Sequence, residues 1–296
     1  MLMQKTAPMI IVKYMNFVYE NVDRQIALQE VNAGKEETGQ RKDIFHFLYN
    51  AVDPETGERG LDRKNLKAET GLLVAAGSDT TSITLSGIFF YLTGDPRRLK
   101  KLEDEILNTF DSIDDISHGP VLKSCTYLRA CIDEAMRLDV AGPSELPREV
   151  LAGGISIKGK HYPAGTVVGT SPWCDSRNQE VYGDPDVFRP ERWIVDEATG
   201  VTQEDVARAK ANFNPFSAGP GHCVGKVFAI SEILVAVART IHRLEVRRAP
   251  GSTAGGGDPS LGWAERNPSV MSLRDAFIAL RDGPEVQFRK RVARSS

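Results

Sequence analysis

The sequence predicts a mainly α fold with small β-sheets, an α-rich α+β class. Three observations predict it. A helical apolar period runs over 62–93, roughly 30 residues and well above the usual helix length. Beyond Pro143 the texture changes to short β-like runs separated by glycine and proline. At 216–225 a glycine-rich loop runs straight into an apolar, helix-patterned segment reaching Ile241. The chain then reads as one domain over 1–296. It has a helix-rich part at 1–140, a β and loop region at 141–200, a loop and helix at 213–241 and a β region at 242–296.

Each element has its own signal. Residues 8–31 carry a helical period and predict one helix, and 34–40 is a polar, glycine-containing loop. A short amphipathic helix follows at 42–51, then a turn at 53–57 with Pro54 and Gly57. Asp62 suits the N-cap of the long helix, and Gly94-Asp95-Pro96 is a firm stop. The middle of that helix is mostly apolar on all sides, which predicts a path through the core. Another amphipathic helix covers 96–109, and Gly119-Pro120 precede a helix running to about Asp139. Strands are expected at 148–150, 154–157 and 166–170, and 183–200 is proline-rich and irregular. After the glycine-rich loop at 251–259, two short strands are expected at 275–281 and 285–289.

Composition excludes several classes. Apolar residues make up 41% and charged residues 26% of the 296, as in an ordinary globular protein. A net charge of −3 argues against nucleic acid as a partner. The basic cluster at 289–294 is short and terminal and reads as a solvated tail. The four cysteines, Cys125, Cys131, Cys174 and Cys223, include no CxxC pair, so free thiols in a reducing compartment are the simplest reading. No run of 18 apolar residues predicts a membrane-spanning segment, and the N-terminus lacks a signal-peptide layout.

Four sites carry chemistry. Cys223 sits in the glycine-rich loop just before a helix, with Phe216 seven residues earlier and Gly225 two later. The loop lets backbone N–H groups face the sulfur, and the helix start favours its anionic form. Inside the long helix, Ala76-Gly77-Ser78-Asp79-Thr80-Thr81 sets a glycine, an acid and hydroxyls against helix propensity. Thr80 offers a proton donor and Asp79 a relay to solvent; a kinked core helix explains the same residues equally well. Glu134 and Arg137 lie three apart on one helical face. Such a pair is usually a surface ion pair, but the apolar neighbours Ile132, Ala135, Met136 and Leu138 imply burial, with Arg192 as a further partner. Arg148 follows Pro147 into a strand and suits a carboxylate or phosphate, although a plain surface arginine is the default.

Taken in chain order, the run 76–81, Glu134 with Arg137, Pro190-Glu191-Arg192-Trp193 and the Cys223 loop resemble the cytochrome P-450 family of haem-thiolate monooxygenases. They match its oxygen-activation helix, its ExxR motif, its PERF-like motif and its cysteine-ligand loop. Runs such as 127–135 and 146–150 are most similar to fungal secondary-metabolism members. The resemblance implies the C-terminal part of the cytochrome P-450 fold, and heme b with Cys223 as its axial metal ligand. Phe216 would then pack beside the ligand, and Gly219 and Gly225 would allow close approach of loop and helix. Asp79 and Thr80 would form an acid–alcohol pair delivering protons to dioxygen. Glu134, Arg137 and Arg192 would form a structural triad, and Arg148 would pair with a propionate. The implied reaction inserts one oxygen atom into a C–H bond of a small apolar organic substrate. Electrons would come from NADPH through a separate reductase, at the endoplasmic reticulum membrane for a full-length member.

Two departures bear on this. Family members usually carry Arg or His two residues before the ligand; here Gly221 stands there, so His222 or Arg148 is expected to take the role. Members also run to about 500 residues, beyond an ordinary single domain. This chain reads as the C-terminal three fifths of one, a partial domain from a truncated gene model, a split gene or a decayed copy. A non-catalytic remnant binding haem weakly or not at all is therefore the alternative. A binding module of amphipathic helices explains none of the four motifs.

Overall fold

The computed structural model describes residues 9–32, 42–58, 60–262 and 265–292. The expected loop at 34–40 lies outside them. The chain divides into two compact units, Met1–Ser78 and Asp79–Ser296.

The first unit holds α1 (Met9–Asn32), α2 (Ile44–Tyr49) and the beginning of α3 (Arg63–Gly94). Val18, Val22, Ile26, Phe45, Tyr49 and Leu66 form its core. The Asp43 carboxylate caps α2 at His46 N–H, and Asp53 accepts from Glu55 N–H in the expected turn. Asp23 on α1 accepts from Arg63 and Lys67 at 2.9 Å, and Tyr14 donates to the Gly71 carbonyl at 2.7 Å. Core burial of the whole of α3 is not found. Leu72 and Val74 are 62% and 41% exposed. This stretch is apolar on several sides, and in this unit Leu66 is its buried contribution to a core otherwise built by α1 and α2.

The rest of α3 belongs to the second unit, where Ile83, Ile88 and Leu92 are fully buried. By length and composition α3 is the one helix among the described residues able to cross a membrane, which a count of unbroken apolar residues misses. Its buried half is that of a core helix. The helices α4 (Pro96–Thr109), α5 (Pro120–Lys123), α6 (Thr126–Leu138) and α10 (Lys226–Arg243) share this core through Leu102, Ile106, Leu122, Leu128, Ile132, Val237 and Ile241. Asp95 caps α4 at Arg97 N–H, with Pro96 in its first turn.

The helix expected from Gly119 to Asp139 is broken at Ser124 and Cys125. Cys125 supplies no side-chain cap. The Glu105 carboxylate of α4 accepts from Tyr127 and Leu128 N–H instead, at 2.8 and 2.7 Å, and satisfies the new N-terminus.

Three two-stranded antiparallel sheets follow. The strand β1 (Arg148–Glu149) pairs with β4 (Val167–Val168), and β2 (Ile155–Ile157) pairs with β3 (Lys160–Tyr162). The strand β5 (Leu244–Arg248) pairs with β6 (Val286–Lys290). Between the sheets lie α7 (Pro172–Asp175), α8 (Gln179–Tyr182), a 3₁₀ turn at Pro190–Trp193 and α9 (Gln203–Ala211). The strand expected at 275–281 is absent. A single bridge joins Arg274 and Leu280, and Asp275 accepts from Phe277 N–H to close a turn with φ 73° at Phe277. The partner of β6 is β5, whose apolar positions read as a continuation of α10.

The basic cluster is not wholly a solvated tail. Arg291 pairs with Glu103 at 2.9 Å and donates to the carbonyls of Ile241 and Leu244, tying the end of α10 to α4. All four cysteines are free.

Candidate active site

Cys223 lies in a short loop just before α10. Its N–H donates to the Phe216 carbonyl at 2.9 Å, which closes the loop. Ser217 and Gly219 take φ of 60° and 75°, and Gly219–Gly221 form a 3₁₀ turn. The side chain of Cys223 is exposed. Ala229 N–H bonds to the Gly225 carbonyl at 2.8 Å as α10 begins. A Cβ added at Gly225 would stand 3.6 Å from Cys223 Sγ, so a longer side chain there would crowd the thiol. Phe216 packs against the main core and anchors the loop.

Apolar residues surround the thiol in sequence and stand open: Val224, Val227 and Phe228 are 89%, 74% and 60% exposed. Two cations stand near the loop, Lys226 over the Phe216 ring at 5.9 Å and Arg148 beside Gly221. Arg148 Nη2 lies 3.9 Å from where a Gly221 Cβ would be, in the space that the family's usual cation would enter. Arg148 Nη1 donates to the Pro147 carbonyl at 3.0 Å. The His222 ring Nδ1 lies 2.9 Å from the Gly219 carbonyl and so sits on its own loop.

This donor set suits a metal that brings its own equatorial ligands. Among the described residues no group of three His, Cys, Asp or Glu could hold a bare ion. One soft thiol, an apolar collar and a guanidinium fit a flat apolar ring bearing an iron and carboxylate tails.

The structure brings Glu134, Arg137 and Arg192 together. They are 0%, 0% and 5% exposed. Glu134 takes both oxygens to Arg137, from Nε and Nη2, at 2.9 Å each. Arg192 Nε donates to Glu134 at 2.9 Å. The Arg137 guanidinium continues to the carbonyls of Ser176 and Pro185 at 2.8 and 2.7 Å. Arg192 adds the Tyr182 carbonyl and the Asp184 carboxylate. Burial pushes the Glu134 carboxyl up, and Arg137, Arg192 and the Arg189 N–H outweigh it, leaving it below its ordinary value. Two participants escape a reading of the sequence: Arg189 N–H and Trp193 Nε1 both donate to Glu134 at 2.9 Å. The signal for Trp193 is its type, since a buried indole needs an acceptor.

Asp79 and Thr80 open the second unit, on α3. The motif from 76 to 79 is exposed, contrary to the burial expected of it. Nothing lies within 4 Å of a Cβ built at Gly77. Burial begins at Thr81, with Ile83 and Thr84 also buried.

One further acid, Asp139, is buried in the second unit. It ends α6 and is 1% exposed, and Tyr91 of α3 donates to its Oδ1 at 2.7 Å. Met271 N–H donates to the same Tyr91 oxygen at 3.2 Å. The other oxygen, Oδ2, fills a notch at Gly87, where an added Cβ would meet it at 1.9 Å. Burial raises the Asp139 carboxyl to about 7, against the pull of Tyr91, Arg177, Arg137 and Arg281.

An α-rich fold with an exposed cysteine at the entrance of a core helix and a buried Glu–Arg–Arg cluster is the arrangement expected of the cytochrome P-450 class. The comparisons agree: the cytochrome P-450 family model matches residues 3–262, and the chain belongs to that family. It is 37% identical over 282 residues to the cytochrome P-450 monooxygenase fscF of Fusarium equiseti, covering 94% of this chain and 52% of that one. It is 39% identical to apf7 of Gibberella fujikuroi, covering 84% and 46%, and 36% identical to lcsN of Purpureocillium lilacinum, covering 85% and 72%; both are cytochrome P-450 monooxygenases. A crystal structure of a cytochrome P-450 matches the fold with a TM-score of 0.68 and 22% identity, over 93% of this chain and 56% of that one. The chain spans about half the length of the first of these relatives.

Proposed function

We propose that this chain carries the haem-binding part of a haem-thiolate monooxygenase of fungal secondary metabolism. The observation supporting it most is the Cys223 loop, an exposed thiol at the entrance of α10 beside Val224, Val227, Phe228 and Arg148. Heme b, when bound, would supply the insertion of one oxygen atom from dioxygen into an apolar C–H bond, and the Cys223 thiolate would hold it.

The chain's own residues have distinct tasks in this reading. Cys223 would hold the iron, and Phe216, Gly219 and Gly225 keep its loop closed and narrow. Arg148, beside Gly221, would pair with a propionate, and His222 stiffens the loop. The exposed Asp79 takes protons from solvent and passes them to Thr80 Oγ1. Glu134, Arg137 and Arg192 hold the 176–193 segment against α6 behind the loop. The substrate is a small apolar organic molecule. The electron donor is an NADPH-dependent reductase, at the cytosolic face of the endoplasmic reticulum for a full-length member.

The second reading, a non-catalytic remnant that holds haem weakly or not at all, draws support from the exposure of Leu72 and Val74 on α3. One spectrum separates the two. The purified chain is reduced and carbon monoxide added. A Soret band red-shifted from that of histidine-ligated haem is expected, and Cys223→Ser is expected to lose it. No haem band at all supports the remnant, and an unshifted variant spectrum sinks the thiolate assignment.

A further inference from the structure

A row of side-chain hydrogen bonds runs along α3 toward Asp79. Arg281 Nε donates to Ser86 Oγ at 2.7 Å. That hydroxyl donates to the Ser82 carbonyl at 2.8 Å, and Ser82 Oγ donates to the Asp79 carbonyl at 2.9 Å. On the adjoining positions Thr84 Oγ1 reaches the Thr80 carbonyl at 3.4 Å. Hydroxyls that bond back to carbonyls one turn earlier tilt those carbonyls outward and bend a helix. A cation donating to Ser86 Oγ polarises that hydroxyl and strengthens its bond to the Ser82 carbonyl.

Arg281 comes from far along the chain, just past the bridge between Arg274 and Leu280. Its guanidinium is partly buried, and burial lowers its pKa while Asp79 and Asp139 oppose that change. Next to Ser86, Gly87 receives the Asp139 carboxylate, so this part of α3 is fixed from α6 as well.

We propose that Arg281 is a positioning residue that sets the curvature of α3 between Ser86 and Asp79, and with it the placement of the Asp79 and Thr80 side chains. The inference rests on reading Asp79 and Thr80 as the proton-delivering pair. Arg281 itself touches no reacting atom.

Hydrogen exchange of the full chain, read by mass spectrometry, tests it. In Arg281→Ala, amides across 79–86 are expected to exchange about tenfold faster, while α10 keeps its protection. Ser86→Ala is expected to reproduce the effect. Arg281→Lys, whose ammonium can still donate to Ser86 Oγ, is expected to return exchange to the parent rate. Unchanged exchange in both alanine variants overturns the proposal. So does a loss of protection that spreads through α10 and that lysine fails to rescue. If Arg281→Ala does not fold, Ser86→Ala decides alone. The reduced carbon monoxide spectrum of the same samples reports the haem-thiolate reading separately. The expected exchange pattern without that spectrum would leave the positioning role standing and remove the monooxygenase.

Discussion

At the scale of the residue, Glu134 is the most constrained side chain. Two guanidiniums, an indole and a backbone N–H all donate to its two oxygens. Removing its charge leaves Arg137 buried without a counterion and Arg192 with only Asp184, at 3.0 Å. Glu134→Gln is expected to destabilise the chain by about 3–5 kcal/mol, measured by urea denaturation. An effect below 1 kcal/mol, the range of a surface pair, would show that the cluster is dispensable. Much of this cluster could be read from the sequence. The spacing of Glu134 and Arg137 and their apolar neighbours announce a buried pair; the expected Arg192 joins it at the Glu134 carboxylate, while the spare N–H groups of Arg137 go to main-chain carbonyls. Arg189 could not be read, because its contribution is a main-chain N–H that any residue would supply.

Asp139 makes a separate residue-level prediction. A carboxyl at about 7 in the folded chain binds its proton more tightly than at the unfolded value of about 3.9. The folded state therefore holds the extra proton between those values, so stability falls as pH rises through that window and is flat above it. Asp139→Asn keeps an acceptor for Tyr91 and removes the titration. Denaturation at several pH values between 4 and 7 is expected to show the parent losing stability relative to the variant. Parallel curves would exclude the assignment.

At the scale of the element, α3 shows where periodicity stops informing. Its length and its stop at Gly94-Asp95-Pro96 follow from the sequence, and the observed helix ends at Gly94. Which stretch is buried does not follow, because a helix apolar on several sides names no face. Gly87 is equally silent in sequence, as one glycine in a long helix. In the fold it is a socket: an alanine methyl would collide with Asp139 Oδ2 at 1.9 Å. Gly87→Ala is expected to cost about 1–3 kcal/mol through overpacking. Pairing it with Asp139→Ala should recover part of that loss, and additive costs would argue against the collision. The broken helix before α6 teaches a similar lesson. The cap that starts α6 comes from Glu105 on another helix, which no local reading of 119–126 contains.

At the scale of the whole molecule, the fold class follows from simple features, and the family model covers most of the chain. The β region is the poorest reading. Its strands are two to five residues long, and the partner of β6 is hidden at the end of an apolar helix. The Cys223 loop was legible because glycine, proline and cysteine have few other reasons to meet before a helix. What surrounds the thiol in space was less so, since the exposure of Val224, Val227 and Phe228 depends on how α10 turns as it enters the core.

The Glu134 cluster also has a consequence for how one stretch of chain keeps its shape. Residues 176–193 contain only a single turn of α8 and a 3₁₀ turn, yet their carbonyls at Ser176, Tyr182, Pro185 and Val187 all end on Arg137 or Arg192. Two cations thus stand in for the ladder that a strand would have provided, and the segment stays ordered only while α6 does.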